Sequence, residues 1–261
     1  MTDASGGDGC VLVVDDNEFN RVGLGLYLRG HEYATVEAGD EESAFALAVA
    51  HRPASAVVDI VIPTTPDGKA HTSQSVGLRL VRRLKELDPA MGIVIFSAYE
   101  DRGGEIWDLI RDGVRGVAYL LKGSRPERLL LALDDTRAGR VILDGEAGAN
   151  KPQLAAEIRA RLSPAERPWV EEAVRLMPTL SPRELDVARR LAGSHNRQGL
   201  VDELGITAKT VDNHINRLYE KLGLGNLEAA APTLRKSVLL AKACMLNDLM
   251  YGNDAGPAAG A

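Results

Sequence analysis

Four short apolar runs in the first half of the chain each end abruptly at a polar side chain. In chain order, the runs and the residues that follow them are Val11–Val14 before Asp15 and Asp16, Ala56–Val58 before Asp59, Ile93–Phe96 before Ser97, and Val117–Leu121 before Lys122. Each run is continuously apolar and rich in β-branched residues, which is typical of strands buried on both faces of a parallel sheet. The pattern constrains the fold because parallel strands require long crossover connections, usually helices.

Segments with helical character lie between these runs. A weaker strand is predicted at Tyr33–Glu37, and the predicted helices are Glu18–Arg29, Asp40–His51, Leu78–Leu87, Asp101–Arg111 and Arg125–Arg137. The strand–helix unit is therefore repeated five times. We predict an α/β doubly wound five-stranded parallel sheet with helices on both faces.

The polar residues at the strand ends are predicted to meet at one edge of this sheet. Ligands of such sheets bind at the carboxyl ends of the strands, where Asp15, Asp16 and Asp59 converge beside Ser97 and Lys122. Clustered carboxylates repel one another unless they share a cation, and Mg²⁺ prefers carboxylate oxygens. One aspartate at a strand end is more often a helix cap or a solvated loop residue. Four strand ends that each carry a suitable group favour a functional site.

Residues 10 to 140 resemble the receiver domain of two-component systems, which has a flavodoxin-like fold. The motifs that carry the resemblance are Asp15-Asp16, Asp59-Ile60-Val61-Ile62-Pro63, Ser97-Ala98 and Leu120-Leu121-Lys122. The resemblance implies that Asp59 is the phosphoacceptor and that a sensor histidine kinase donates the phosphoryl group. It implies further that Mg²⁺ is bound by the residues Asp15, Asp16, Asp59 and the backbone carbonyl of Val61.

Three further positions acquire roles from the same resemblance. Ser97 is the hydroxyl that follows the phosphoryl group, and Lys122 is the cation that contacts it. Tyr119 occupies the position of the aromatic switch residue, whose ring orientation follows phosphorylation in that family. An ordinary half-buried aromatic residue is the alternative for Tyr119.

The segment Thr64–Ser75 departs from most receivers, in which a short Gly-containing turn follows the proline. It is long and polar, and it contains the turn signal Asp67-Gly68 together with Lys69 and His71. Long irregular loops in compact domains are often functional. The segment is predicted either to cover the phosphorylation site or bind a partner, or to be a tolerated surface insertion.

The second half is predicted to be all-α. Residues 144–150 are rich in Gly and Ala and favour a linker, and the segments Pro152–Leu162 and Pro164–Met177 are predicted helices. A capping box at Ser181–Glu184 begins a helix to about Leu191. A short helix at about Arg197–Leu204 and a longer one from Thr207 to about Leu222 follow it. Two helices joined by a tight Gly-containing turn form a helix-turn-helix pattern.

Residues Leu180 to Asn226 resemble the LuxR/NarL-type DNA-binding domain. The matching motifs are Leu-Ser-Pro-Arg-Glu at 180–184, Leu-Gly-Ile-Thr at 204–207, Lys-Thr-Val at 209–211, Asn-His-Ile at 213–215 and Leu-Tyr-Glu-Lys-Leu-Gly at 218–223. The resemblance implies that double-stranded DNA is bound in the major groove by the last of the three helices. The DNA-binding residues that it implies are Lys209, Thr210, Val211, Asp212, His214, Asn216, Arg217 and Lys221. Use of the motif for protein contact alone is the alternative.

The charge of this motif predicts that a monomer binds DNA weakly. Asp212 stands where the family usually has a neutral or basic residue, and the other acidic and basic side chains of the motif nearly balance. Because neutralisation of phosphates supplies much of the affinity for DNA, we expect the protein to bind DNA as a homodimer. The homodimer either forms without phosphorylation or depends on it. The apolar stripe after Asn226 suits a partner helix or packing against its own domain equally well.

Composition limits the remaining classes of function. The sequence has no apolar run of about 18 residues, and its first nine residues are small and polar. The two cysteines lie at opposite ends of the chain. We therefore predict no membrane segment, no secretory signal and a cytoplasmic location. Because neither a Gly-rich phosphate loop nor a nucleophile elbow is present, we do not expect an enzyme.

The domains predicted from these features are a flexible N-terminus at 1–9, a receiver at 10–142, a helical linker at 143–178, a helix-turn-helix domain at 179–226, and a C-terminal helix with a flexible tail at 227–261. We predict a transcriptional response regulator that is controlled by phosphorylation of Asp59. Two alternatives remain open at this point. One is a regulator that binds DNA without a phosphorylation switch, and the other is a phosphorylated adaptor that acts through protein contacts.

Overall fold

The computed structural model describes residues 9–71, 74–99, 102–144, 148–149, 151–193 and 197–251. The chain forms two compact units, the first ending at Ala149 and the second beginning at Asn150. Most of the predicted flexible N-terminus, part of the predicted linker, the turn at 194–196 and the tail at 252–261 lie outside the described residues. In the described part of the chain, no helix is long and apolar enough to cross a membrane.

The first unit contains a parallel sheet with strand order β2-β1-β3-β4-β5-β6. The strands are β1 (Cys10–Val14), β2 (Ala34–Ala38), β3 (Ser55–Val58), β4 (Gly92–Ser97), β5 (Val117–Leu121) and β6 (Val141–Leu143). The predicted doubly wound fold is confirmed, but the count of five strands is wrong. The sixth strand pairs in parallel with β5, with Val117 opposite Val141. Its three residues are too few to show the period of a strand.

Five helices connect the six strands and end close to their predicted boundaries. They are α1 (Glu18–Arg29), α2 (Glu41–His51), α3 (Val76–Leu87), α4 (Gly103–Arg111) and α5 (Pro126–Arg137). Side chains that precede two of the helices satisfy free amides of the first turn. The Asn17 side chain accepts from the Asn20 amide at 3.1 Å, and the Asp40 carboxylate accepts from the Ser43 amide at 2.9 Å. These caps fix the points at which the chain leaves β1 and β2.

Gly77 allows α3 to pass directly over the end of β3. Its amide donates to the Ile60 carbonyl at 2.9 Å, and a Cβ atom at this position would lie 1.9 Å from the backbone oxygen of Asp59. Real Cβ contacts are never this short, so any larger residue must displace the backbone. The glycine therefore sets the close approach of α3 to the strand end that carries Asp59.

The second unit is helical throughout its described residues. Its helices are α6 (Lys151–Ala160), α7 (Arg167–Leu176), a 3₁₀ turn (Met177–Thr179), α8 (Pro182–Ala192), α9 (Arg197–Leu204), α10 (Ala208–Lys221), α11 (Leu227–Ala230) and α12 (Lys236–Tyr251). The last helix packs against α6, α7 and α8. This packing buries one face of α12, with Leu239, Leu240 and Ala243 fully buried, whereas Val238 of the predicted apolar stripe is 43% exposed. A buried ion pair of 3.0 Å between Arg189 and Asp248 joins α8 to α12.

Glu184 ties the start of α8 to the end of α10. Its carboxylate accepts from the Ser181 amide and hydroxyl, each at 2.9 Å, while the Ser181 hydroxyl accepts from the Glu184 amide at 3.3 Å. This geometry is the predicted capping box. The same carboxylate pairs with the Lys221 ammonium at 2.7 Å. The hydrogen bond from Lys221 and those from Ser181 lower the pKa of Glu184 to about 2.

We predict that Gly77→Ala destabilises the first unit by about 3 kcal/mol, because its Cβ atom would overlap the backbone of β3. Gly23→Ala is the matched control. Gly23 lies in α1 with no atom within 4 Å of the added Cβ, so alanine should stabilise the helix by about 0.5–1 kcal/mol. Urea unfolding followed by the fluorescence of Trp107 measures both. Equal stability of the two variants would contradict the close approach.

We predict that Glu184→Gln removes an acid-sensitive part of the second unit's stability. Because the pKa of Glu184 is about 2 in the folded chain and ordinarily 4.5, its stabilisation is present above about pH 4.5 and is lost as the pH falls toward 2. Urea midpoints at pH 6 and pH 3, read from the fluorescence of Trp169, measure the difference. Glu171→Gln, on the exposed side of α7, is the control and should keep the wild-type dependence. If the urea midpoint of Glu184→Gln changed with pH as it does in the wild type, Glu184 would not be the source of the acid-sensitive stability.

Candidate functional site

Three aspartates meet at the carboxyl ends of β1 and β3. One carboxylate oxygen from each of Asp15, Asp16 and Asp59 lies within 4.8 Å of the others. Asp15 and Asp59 are only 1% and 8% exposed, whereas Asp16 faces solvent. The neighbouring strands β1 and β3 bring them together, because the Asp59 amide donates to the Val14 carbonyl at 2.9 Å. The predicted acidic cluster therefore forms, with two buried members and Asp16 exposed to solvent.

Lys122 supplies one positive charge to this cluster from the end of β5. Its ammonium donates to Asp15 Oδ2 at 2.7 Å and to Asp59 Oδ2 at 2.6 Å. Burial lowers the pKa of Lys122, but the bonds to both carboxylates outweigh burial and raise the pKa above its ordinary value. The lysine is thus held in its charged form between the two buried aspartates.

Asp59 is in a less favourable electrostatic position than Lys122. Burial raises its pKa, and the negative charge of Asp15 adds to this effect. The hydrogen bonds from Lys122 and from the Val61 amide, the latter at 3.4 Å, oppose the rise without cancelling it. The pKa of Asp59 therefore stays above its ordinary value, because the neighbouring positive charge does not offset burial and the charge of Asp15.

The donor set fits a hard divalent cation. Three carboxylates face one lysine, so the cluster keeps an excess of negative charge, and every side-chain donor is an oxygen. Mg²⁺ takes oxygen ligands and retains several waters, and the exposed position of Asp16 keeps this carboxylate in contact with solvent. Val61, whose backbone carbonyl is the fourth predicted ligand, is two residues after Asp59 and half-buried.

The backbone of Tyr99 connects Ser97 with Tyr119. The Ser97 hydroxyl accepts from the Tyr99 amide at 3.1 Å, and the Tyr119 hydroxyl donates to the Tyr99 carbonyl. Ser97 and Tyr119 are both fully buried. The Lys122 amide also donates to the Ser97 carbonyl at 2.6 Å. Tyr99 was not predicted from the sequence, although its place two residues after Ser97 is the available signal.

The start of the segment Thr64–Ser75 is fixed to the helices beside the pocket. The amides of Glu41 and Glu42 donate to the carbonyls of Pro63 and Thr64 at 3.0 and 3.1 Å. The buried carboxylate of Glu41 also accepts from the guanidinium groups of Arg79 and Arg83 on α3. The predicted turn at Asp67-Gly68 is present, since the Gly68 amide donates to the Thr65 carbonyl at 2.9 Å. Residues 72–73 lie outside the described part.

The exposed face of α10 carries most of the predicted DNA-binding residues. Exposed side chains on this helix include Lys209, Asn216, Arg217 and Lys221, and partly buried ones include Thr210, Asp212 and His214. Val211 is only 1% exposed and belongs to the core. The prediction that Val211 faces the groove is therefore wrong, because a residue with no free surface makes no contact with a base edge.

Two family models match the chain over the two regions described above. The response regulator receiver domain matches residues 11–134, and the model of bacterial regulatory proteins of the LuxR family matches residues 178–233. The first match covers β1 to β5 and the acidic cluster but not β6, and the second covers α8 to α10 with the residues that follow them.

Curated relatives align with the chain over most of their own length. The chain is 30% identical to the DNA-binding transcriptional activator DevR/DosR of Mycobacterium tuberculosis, over 85% of this chain and 91% of the relative. It is 29% identical to the probable transcriptional regulatory protein NarL of that organism, over 88% and 95%. It is 28% identical to the nitrate/nitrite response regulator protein NarL of Escherichia coli, over 85% and 92%. The chain thus belongs to the DNA-binding response regulators that join a receiver domain to a LuxR-family domain.

Proposed function

We propose that the protein regulates transcription and that phosphorylation of Asp59 controls its binding to DNA. The observation that carries the proposal is the Lys122 ammonium, which lies 2.6 Å from Asp59 and 2.7 Å from Asp15 at the mouth of an acidic cluster. A cation shared in this way orients one oxygen of Asp59 and is placed to contact a phosphoryl group bonded to that residue.

The proposed reaction moves a phosphoryl group from a phosphohistidine of a sensor kinase to Asp59. A carboxylate oxygen of Asp59 attacks phosphorus, the bond from phosphorus to the imidazole nitrogen breaks, and the imidazole leaves with the electron pair and takes up a proton. A magnesium ion, when bound, neutralises part of the charge on the phosphoryl oxygens. Asp15, Asp16 and the Val61 carbonyl would hold that ion together with Asp59. Lys122 contacts a phosphoryl oxygen, and the Ser97 hydroxyl donates to another.

Phosphorylation is proposed to act by shifting the population of two receiver conformations. The Ser97 hydroxyl accepts from Tyr99 in the present structure, so turning it toward a phosphoryl group changes the contacts of Tyr99 and, through its carbonyl, of Tyr119. A difference of a few kcal/mol between the two states is enough for a switch. The protein acts in this scheme as a switch and not as an enzyme that releases a product.

The partners that we propose are a sensor histidine kinase and double-stranded DNA, both met in the cytoplasm. The exposed side chains of α10, led by Lys209 and Arg217, would enter the major groove. Lys221 is already paired with Glu184, so it offers DNA less charge than a free lysine. Because one motif then neutralises few phosphates, we propose that a homodimer binds two half-sites.

We predict that Asp59→Asn abolishes phosphoryl uptake from acetyl phosphate and Mg²⁺, because the amide nitrogen and oxygen are poor nucleophiles. Intact-mass spectrometry should show the gain of one phosphoryl group in the wild type and none in the variant, with the wild type inactive in excess EDTA. Asp112→Asn is the control, since this exposed aspartate makes only a 3.3 Å pair with Arg82. Labelling of Asp59→Asn equal to that of the control would refute the assignment.

We predict that Arg217→Ala weakens specific DNA binding by about 1–3 kcal/mol if the guanidinium contacts a base, and lowers the salt dependence if it contacts a phosphate. Fluorescence anisotropy at several salt concentrations, with fragments selected from a random library, distinguishes the two. Arg175→Ala, an exposed arginine on α7, is the control. If only Arg175→Ala lost affinity, DNA would bind a surface other than the exposed face of α10. Equal affinity of the wild type with and without phosphorylation would favour a regulator without a switch.

A further inference from the structure

Tyr99 is held by three independent contacts around the switch. Its amide donates to Ser97 at 3.1 Å and its carbonyl accepts from Tyr119. The third contact is made by its ring, because the guanidinium carbon of Arg102 lies 5.5 Å from the ring centroid. Cation–π contacts at this distance are attractive. The side chain and the backbone of Tyr99 are therefore fixed by different parts of the chain.

Arg102 also makes polar contacts with Ser75 and Glu105. Its guanidinium donates to Glu105 Oε1 at 2.8 Å and to the Ser75 hydroxyl oxygen at 3.5 Å. Burial raises the pKa of Glu105, but hydrogen bonds from Ser75 and Arg102 outweigh it and keep the pKa below its usual value. The Ser75 hydroxyl oxygen thus accepts from Arg102, and Ser75 helps to lower the pKa of the Glu105 carboxyl. Arg102 contacts both of the other side chains, and we call this set the Ser75–Arg102–Glu105 triangle.

The position of Ser75 gives the triangle its significance. Ser75 is the last residue of the long segment Thr64–Ser75 and precedes the first residue of α3. Arg102 and Glu105 stand at the start of α4, on the other side of the switch residue Tyr99. The Ser75 side chain makes no capping bond to α3, so its described side-chain contacts are directed toward α4. The triangle therefore joins the extra segment to the region that phosphorylation is proposed to move.

We propose that Arg102 is a positioning residue that holds Tyr99 in its present conformation and couples it, through Ser75 and Glu105, to the segment Thr64–Ser75. The coupling rests on the proposed function, in which Ser97 and Tyr119 respond to phosphorylation. Displacement of Ser75, the last residue of the segment, removes its contact with the Arg102 guanidinium. Tyr99 then loses the support of Arg102, and the switch changes its balance without a phosphoryl group.

The test measures hydrogen exchange of the Tyr99 amide by NMR in the full chain without phosphorylation. Arg102→Ala and Ser75→Ala each should speed exchange of this amide at least tenfold, because Tyr99 is no longer held against the Ser97 hydroxyl. Arg102→Lys, which keeps the charge near Glu105 and Tyr99, should restore at least part of the protection. Arg82→Ala is the matched control, since Arg82 also links α3 to the α4 region through Asp112 but does not contact the switch.

Two outcomes would overturn the proposal. One is a Tyr99 exchange rate in Arg102→Ala equal to that in Arg82→Ala. The other is faster exchange throughout the unit, including the amides of β1, which would mean that Arg102 only stabilises the fold. Since the unphosphorylated protein is used, the result does not depend on Asp59 accepting a phosphoryl group. If the wild type fails to take up a phosphoryl group while the Tyr99 amide exchanges faster in Arg102→Ala as expected, only the proposed function of Asp59 is refuted. The role of Arg102 would stand.

Discussion

The shared contact of Lys122 with Asp15 and Asp59 is the interaction on which the receiver site depends. Strands β1 and β3 are neighbours, so they bring the two aspartates together, but β5 is separated from β3 by β4. Lys122 crosses that distance with a long flexible side chain, and its own amide is fixed by the Ser97 carbonyl on β4 at 2.6 Å. Two buried carboxylates this close would repel each other strongly without a cation. The lysine therefore allows the strand ends to remain together while the cluster keeps enough negative charge to attract a metal ion.

The sequence predicted this site because each strand ends where an apolar run meets a polar residue. The parts that it did not predict have physical reasons. Strand β6 has only three residues, which is too short for a recognisable period. The close approach of Gly77 to β3 depends on two distant backbone segments, and the spacing of residues carries no sign of it. The misplacement of Val211 was avoidable, because Val211, Leu218 and Leu222 fall on one face of a helix at a period of 3.6 residues, and all three are buried.

In the second unit, the apolar pattern of the C-terminal helix indicates that the helix packs against another surface. The pattern does not indicate which surface that is. The apolar stripe of the C-terminal segment was equally compatible with another chain and with its own domain. Helix α12 covers α6, α7 and α8, and the buried pair of Arg189 and Asp248 joins it to α8. Burying two charges costs desolvation energy that the pair only partly recovers, so such a pair adds little stability. Removing one partner would leave an uncompensated buried charge, and the pair therefore favours this register of α12 on α8 over others.

The Ser75–Arg102–Glu105 triangle is of the right energetic scale for control of a switch. A single hydrogen bond contributes a net of about 0.5–1.5 kcal/mol, and bonds to charged groups about twice that. Losing one bond to a charged group shifts a two-state equilibrium by about one to two orders of magnitude, which is enough to change a minor state into a substantial one. If the contacts of the triangle were much stronger, phosphorylation would not change the conformation of Tyr99. If they were much weaker, the segment Thr64–Ser75 would not affect Tyr99. Because Ser75 accepts from the Arg102 guanidinium, a displacement of this one residue is sufficient to lose that bond.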